Sequence, residues 1–220
     1  MKILVHYCRP GFTNCYLIGN GESPPLSPLR ASGPSPAGSG GNAILIDPGD
    51  MGAEILEHIE NNDYWLRAVL ITHDHPGHVR GLRTLLKIYH VDIYAVNHVI
   101  MDQKTTVVKD GDELDIDPFK IEVISIPGHS ADSVVYRIGS FLFTGDVLSA
   151  GLTGSTASSY GTRLQMSAIR YKLLSLPGDC VILPGHGPPS SLEAERRFNA
   201  GVELYDQNRS RRPQFTVDLD

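Results

Sequence analysis

Five of the nine histidines in this 220-residue chain stand in three short motifs, each beside a glycine. The stretch His73-Asp74-His75-Pro76-Gly77-His78 packs three imidazoles into one loop, directly after the apolar run Ala68-Val69-Leu70-Ile71-Thr72. Neutral imidazole binds zinc, iron or manganese, and a loop can aim several rings at one centre in a way that a regular element cannot. Three more donors arrive singly: His129 in Pro127-Gly128-His129-Ser130, Asp146 in Thr144-Gly145-Asp146, and His186 in Pro184-Gly185-His186-Gly187. Each follows an apolar run, so all can gather along one edge of a sheet. The pattern is that of a metal site, not of core packing. A divalent ion held there lowers the pKa of bound water toward about 7 and polarises a carbonyl or phosphoryl oxygen, so hydrolysis needs no Ser or Cys nucleophile.

The elements that must position these donors read as strands first, then alternating helices and strands. Residues 3–7, 14–18 and 43–46 have strand character, the last ending at Asp47-Pro48-Gly49. Residues 53–59 carry apolar positions at helical spacing, and 68–72 is a buried strand. Val79, Leu82, Leu85, Leu86 and Tyr89 predict one helix with a buried face. Strands follow at 121–126, 133–138 and 140–144, then a helix at 164–176 and a short strand at 180–183. Ser190 and Glu193 have capping-box spacing for a last helix that continues through Phe198, Val202 and Tyr205. Residues 21–41 hold five prolines and no period, which predicts a mobile loop; 208–220 is expected to fray.

Composition narrows the class. One domain spanning 1–220 suits this length. Lys+Arg 19 against Asp+Glu 25, a net charge of −6, speaks against a basic nucleic-acid surface. No apolar run approaches the roughly 18 residues of a membrane span, and residues 1–7 lack a signal-peptide core. Three cysteines without CxxC spacing, Cys8, Cys15 and Cys180, read as small buried residues in a reducing cytoplasm. A cytoplasmic protein acting on a small molecule is expected, without nucleic acid or membrane partners. The oligomeric state is open, a homodimer included.

Asp47, the 73–78 block, His129, Asp146 and His186, in this order, resemble the metallo-β-lactamase superfamily. The resemblance implies an α/β fold, an αββα sandwich of two mixed sheets with helices on the outer faces and a metal site along one edge. It also implies that His73, His75 and His129 form a first metal site, that Asp146 bridges, and that His78 and His186 belong to a second. Asp47 resembles the family's supporting aspartate, which braces the ligand loop. The family block is His-x-His-x-Asp-His, and Gly77 stands at the Asp position. That substitution implies one tight metal, zinc first with iron or manganese as alternatives, and a weakened second site. Asp74 reads as a loop-bracing or solvated carboxylate, not a replacement ligand.

Within the superfamily, Phe141-Leu142-Phe143-Thr144-Gly145-Asp146-Val147-Leu148, Leu176-Pro177-Gly178-Asp179 and Glu195-Arg196-Arg197-Phe198-Asn199 resemble the glyoxalase II-like hydrolases. Only about thirty residues follow His186, without the helical glutathione-binding domain of glyoxalase II, and 149–160 is small and polar where that enzyme has basic residues. The leading expectation is hydrolysis of a small ester or thioester by a metal-bound hydroxide. Asp146, His186 and His78 would be catalytic, the two histidines as proton donors. Tyr160 reads more simply as packing or surface than as a substrate contact. One alternative is a mononuclear iron oxygenase resembling the persulfide dioxygenases, using His73, His129 and Asp146. The other is a degenerate domain that binds metal without catalysis.

Overall fold

The computed structural model describes residues 1–21 and 40–210, with side chains through 206. The first sheet is built from β1 (Lys2–Cys8), β2 (Thr13–Gly19), β3 (Asn42–Ile46), β4 (Trp65–Leu70) and β5 (Asp92–Ala95). A small hairpin, β6 (Val99–Ile100) and β7 (Gln103–Lys104), precedes its last strand, β8 (Thr106–Val107). β1, β2 and β3 pair antiparallel, whereas β3, β4, β5 and β8 run parallel. Helices α1 (Ala53–Asn61), α2 (Pro76–Val79) and α3 (Leu82–Leu85) fall in its crossovers.

The second sheet takes β9 (Glu113–Ile116), β10 (Phe119–Ser125), β11 (Val134–Ile138) and β12 (Phe141–Gly145) in antiparallel order. After the hairpin β13 (Leu148–Ser149) and β14 (Leu152–Thr153), helix α4 (Ser159–Ala168) runs into a π-helical turn at Ile169–Leu174. β15 (Val181–Pro184) returns parallel to β12, followed by β16 (Ser190–Ser191), α5 (Leu192–Phe198) and α6 (Ala200–Ser210).

Alternation along the strands sorts the apolar side chains into three layers. Tyr16, Ile18, Ile44, Ile46, Tyr136 and Phe143 fill the space between the sheets. Their neighbours Leu17, Leu45 and Val69 point outward onto α1, α2 and α3 through Ile55, Ile59, Val79 and Leu82. Val135, Leu142 and Ile182 face α4, the π-turn and α5 through Met166, Ile169, Leu173 and Leu192. Strands buried on both faces read as continuous apolar runs, which is why periodicity alone marked them weakly. The result is the expected αββα sandwich.

Four local expectations are corrected. The single helix over Val79–Tyr89 is interrupted: the Gly81 amide donates to Pro48 O at 2.8 Å, and a Cβ there would meet the Asp50 backbone at 2.5 Å. The chain therefore turns against the β3 loop before α3 begins. The N-cap of α5 is Ser191, whose hydroxyl accepts from Ala194 N, while Ser190 donates instead to Glu195. The helix expected at 164–176 starts earlier, capped by Ser158, and ends in the π-turn. The helix expected to continue through Val202 and Tyr205 is interrupted at Asn199, whose Oδ1 accepts from Val202 N at 3.1 Å, and α6 then extends to Ser210, into the tail expected to fray. The loop expected at 21–41 falls largely on 22–39, and the rest of that tail on 211–220; both lie outside the described residues.

Candidate metal centre

Strand direction gathers the donors. β3 and β4 are parallel, β12 and β15 are parallel, and two antiparallel steps align β10 with β12. Asp47, the 73–78 block, His129, Asp146 and His186 thus all emerge from the C-terminal ends of their strands. Ties between the sheets hold these ends together. Asn14 donates from its backbone to Gly185 O at 2.7 Å and from its side chain to Pro184 O and Gly187 O at 3.0 and 2.8 Å. Tyr16 Oη donates to Pro184 O at 2.5 Å, and Tyr136 Oη to Ile71 O at 3.0 Å.

Asp47 lies directly past β3, buried, with φ at 50°. Its carboxylate accepts from Thr72 N at 2.8 Å, Thr72 Oγ1 at 2.6 Å and His78 Nδ1 at 2.9 Å. Thr72 Oγ1 also stands 3.1 Å from His73 Nδ1. His129 Nδ1 donates to Ser155 O and His186 Nδ1 to Phe12 O, both at 2.8 Å. These contacts assign the proton of each ring to Nδ1 and leave Nε2 of His73, His78, His129 and His186 with a lone pair. His75 is the exception and turns its Nδ1 inward, 3.0 Å from His129 Nε2.

All four Nε2 atoms converge on one carboxylate. Asp146 Oδ2 is 3.8 Å from His73, 3.4 Å from His129 and 3.4 Å from His186, and Oδ1 is 3.3 Å from His78. Two donor groups result, His73/His75/His129/Asp146 and His78/Asp146/His186, each with its donor atoms within 4.8 Å of one another. Burial holds the His73 pKa down at about 4, helped by the neighbouring His78, so that ring is neutral. Burial also opposes charging of His78, but Asp47 and Asp146 outweigh it and push its pKa up to about 10, so a cation at its Nε2 would take the place of a proton. Burial resists ionisation of Asp146 too, yet His186 and His78 keep its carboxyl well below the usual range. The hydrogen bond to Asp146 raises His186.

These residues fit a divalent cation. His73 Nε2, His78 Nε2 and Asp146 Oδ1 are buried without a hydrogen-bond partner. Each such orphan costs about 1–3 kcal/mol, a cost that a bound cation would remove. The approach is tight: a Cβ on Gly185 would fall 2.5 Å from His78 Cε1 and 2.6 Å from Asp146 Oδ1, and one on Gly145, at φ +48°, would fall 2.4 Å from Thr72 Oγ1.

Every donor expected from the sequence is in the cluster, and Asp47 braces it. Gly77 contributes no side chain; its carbonyl accepts from Thr13 Oγ1 at 2.7 Å. Asp74 is exposed and belongs to neither group, its amide donating to Asp132 Oδ2 at 2.9 Å. Tyr160, 63% exposed, lies on the first turn of α4 beside the Arg163 guanidinium and belongs to neither donor group. Sequence reasoning missed Thr72, Asn14, Ser155, Asp132 and the Phe12 carbonyl. Only Thr72 carried a signal, a hydroxyl next to the first histidine at a strand end.

The sandwich carries its donor cluster at the strand ends, an architecture that suits a metal centre. The metallo-beta-lactamase superfamily model matches residues 37–186. The chain belongs to the metallo-β-lactamase superfamily. Hydroxyacylglutathione hydrolase of Aeromonas salmonicida is 34% identical over 147 residues, 66% of this chain and 57% of that protein. The chain therefore spans just over half the length of that relative. Hydroxyacylglutathione hydrolase GloC of Haemophilus influenzae is 30% identical over 184 residues, 72% of this chain and 86% of its own length. Among solved structures, ETHE1 from Myxococcus xanthus superposes with a TM-score of 0.74 at 23% identity, covering 97% of this chain and 93% of that one. No helix among the described residues is long and apolar enough to cross a membrane.

Proposed function

We propose that this chain is a metal-dependent hydrolase of small esters or thioesters. The observation that carries the reading is the convergence of His73, His75, His129, His78 and His186 on one carboxylate, Asp146, with buried donor atoms left unpartnered. His73, His75, His129 and Asp146 would hold the tight ion, zinc by donor chemistry. His78 and His186 with Asp146 would hold a weaker second one, since two neutral imidazoles and a shared carboxylate compensate a dication poorly. A bound divalent ion supplies an acidified water and a Lewis acid for the carbonyl oxygen.

The chain's own residues do the rest. Asp146, ionised and facing both donor groups, anchors the cations and offsets their charge. Asp47 and Thr72 hold the rings of His78 and His73 in orientation. His186 is half-buried at the rim, its Nδ1 pinned on Phe12 O; when the second position is empty and the ring carries a proton on both nitrogens, its Nε2 can hand one to a departing alkoxide or thiolate. His78, on the buried side, is the second candidate donor. Relatives named for hydrolysis of a hydroxyacylglutathione support a thioester over a phosphodiester, while the small, polar 149–160 stretch supports a carrier other than glutathione.

The test is metal content followed by turnover of the reconstituted protein on ester, thioester, lactone and phosphodiester panels. Metal-dependent thioester or ester cleavage, abolished by His129→Ala, is expected. Full metal occupancy with no turnover on any panel would replace this reading with a metal-binding domain that does no chemistry. Oxygen uptake with a persulfide, dependent on iron, would replace it with the oxygenase.

A further inference from the structure

On the helix-facing side of the first sheet, beside the turn that follows Asp47, a second set of donors comes together. His6 and Cys8 are two residues apart on β1 and so share a face. Asp50 reaches them from the turn after β3. Donor atoms of His6, Cys8 and Asp50 all lie within 4.8 Å of one another. His6 Nε2 is 2.9 Å from Asp50 Oδ1, and His6 Nδ1 is 3.1 Å from Glu54 Oε2 on the first turn of α1. His6 is 8% exposed and Cys8 fully buried. Cys15, opposite His6 on β2, hydrogen-bonds diagonally to the Cys8 thiol.

We propose that His6, Cys8 and Asp50 form a separate binding site for a borderline-soft divalent cation of the zinc type. Glu54 braces the imidazole, and solvent completes the coordination. One thiolate and one carboxylate neutralise a dication, and thiolate, imidazole and carboxylate are all ordinary zinc ligands. Glu54 takes the Nδ1 proton and leaves the His6 Nε2 lone pair facing Asp50, the arrangement in which a carboxylate orients a ligating histidine.

A simple ion pair between protonated His6 and its carboxylates accounts for those three side chains but gives Cys8 no role. The Cys15 hydrogen bond outweighs burial and brings the Cys8 pKa down to about 7, so the thiolate is accessible near neutral pH. Burial opposes charging of His6, but Asp50 and Glu54 hold its pKa above the ordinary value. A cation must therefore displace protons, and its affinity rises with pH. An ion here ties β1 to the turn that begins with Asp47, a structural role outside the chemistry of the histidine centre.

Cobalt(II) titration of the full chain tests this site. No donor assigned to the histidine centre is a thiolate, so a near-ultraviolet thiolate-to-cobalt charge-transfer band reports cysteine ligation alone. The band is expected in the unmodified protein and in Cys180→Ser, lost in Cys8→Ser, and shifted to about tenfold or more weaker binding in His6→Gln and Asp50→Asn. No thiolate band with cobalt in excess, or a band that survives Cys8→Ser, overturns the proposal. If Cys8→Ser does not fold, the His6→Gln and Asp50→Asn titrations decide: a band that needs about tenfold or more cobalt supports the site, and a titration unchanged in both overturns it.

Discussion

Asp47 Oδ2 stands 2.9 Å from His78 Nδ1 while the opposite nitrogen of the same ring faces Asp146 Oδ1 at 3.3 Å. One imidazole thus links the bracing carboxylate to the bridging one. Asp47→Asn places an amide where Thr72 Oγ1 and His78 Nδ1 both donate, so at least one donor faces another donor. The variant should fold with a loss of about 1–3 kcal/mol and bind metal at the His78 group about 10–100-fold more weakly. Calorimetric metal titration beside a thermal melt checks both numbers. Unchanged affinity in a folded variant would mean that the ring needs no brace.

His129 approaches from a loop on the second sheet, and its ring stands edge-on to those of His73 and His75. His129→Ala should leave the fold intact and take away one donor of the tight group. Turnover is expected to fall to background, with metal content at limiting zinc clearly reduced. Turnover within tenfold of the unmodified protein would remove His129 from the proposed ligand set.

Gly77 does not adopt the left-handed backbone that only glycine tolerates cheaply, so φ does not forbid a side chain there. Space does the restricting: a Cβ would lie 2.9 Å from Thr13 Cγ2. Gly77→Asp alone is therefore expected to distort β2, whereas Gly77→Asp with Thr13→Ser removes the clashing methyl and keeps the hydroxyl that bonds to the 77 carbonyl. The unmodified protein should hold one tight metal in the histidine centre and a second only at high concentration; the double variant should strengthen the second step. Two equally tight metals in that centre before any substitution would defeat the one-metal reading.

Asn14 ties β2 to the loop that carries His186. Asn14→Ala leaves the Gly187 carbonyl without its side-chain donor and the Pro184 carbonyl with Tyr16 Oη alone, at a cost of about 1–3 kcal/mol. The His186 side should loosen more than the His73 side. Thermal denaturation gives the cost, and a fall in turnover with tight-metal content retained gives the asymmetry.

Gly21 and Gly40 stand side by side, since a Cβ on Gly21 would overlap Gly40 O. A short glycine-rich turn can therefore join them. Replacing 22–39 by such a turn should leave the melting temperature nearly unchanged, and any effect should appear in substrate choice. Loss of folding would show that the segment is structural.

The chemistry was legible in the chain because it is carried by residue types that seldom cluster without cause. Three histidines in one loop and three single donors after apolar runs named the centre before any coordinates, and the same runs implied the layered sandwich. What the chain could not disclose depends on through-space partners far apart in sequence. Thr72 gains its meaning from a carboxylate 25 residues earlier, and Asn14 from a loop more than 170 residues later. The break at Gly81 arises because the β3 turn occupies the space that a continuous helix would need. The shift of the α5 cap from Ser190 to Ser191 follows from Glu195, which takes up the Ser190 hydroxyl and leaves the Ser191 hydroxyl to accept from Ala194 N. The His6, Cys8 and Asp50 cluster was likewise invisible, because Cys8 resembles any small buried residue until β1 packs against the turn after β3. Local pattern determines which residues can ligate; strand order and direction decide which of them meet.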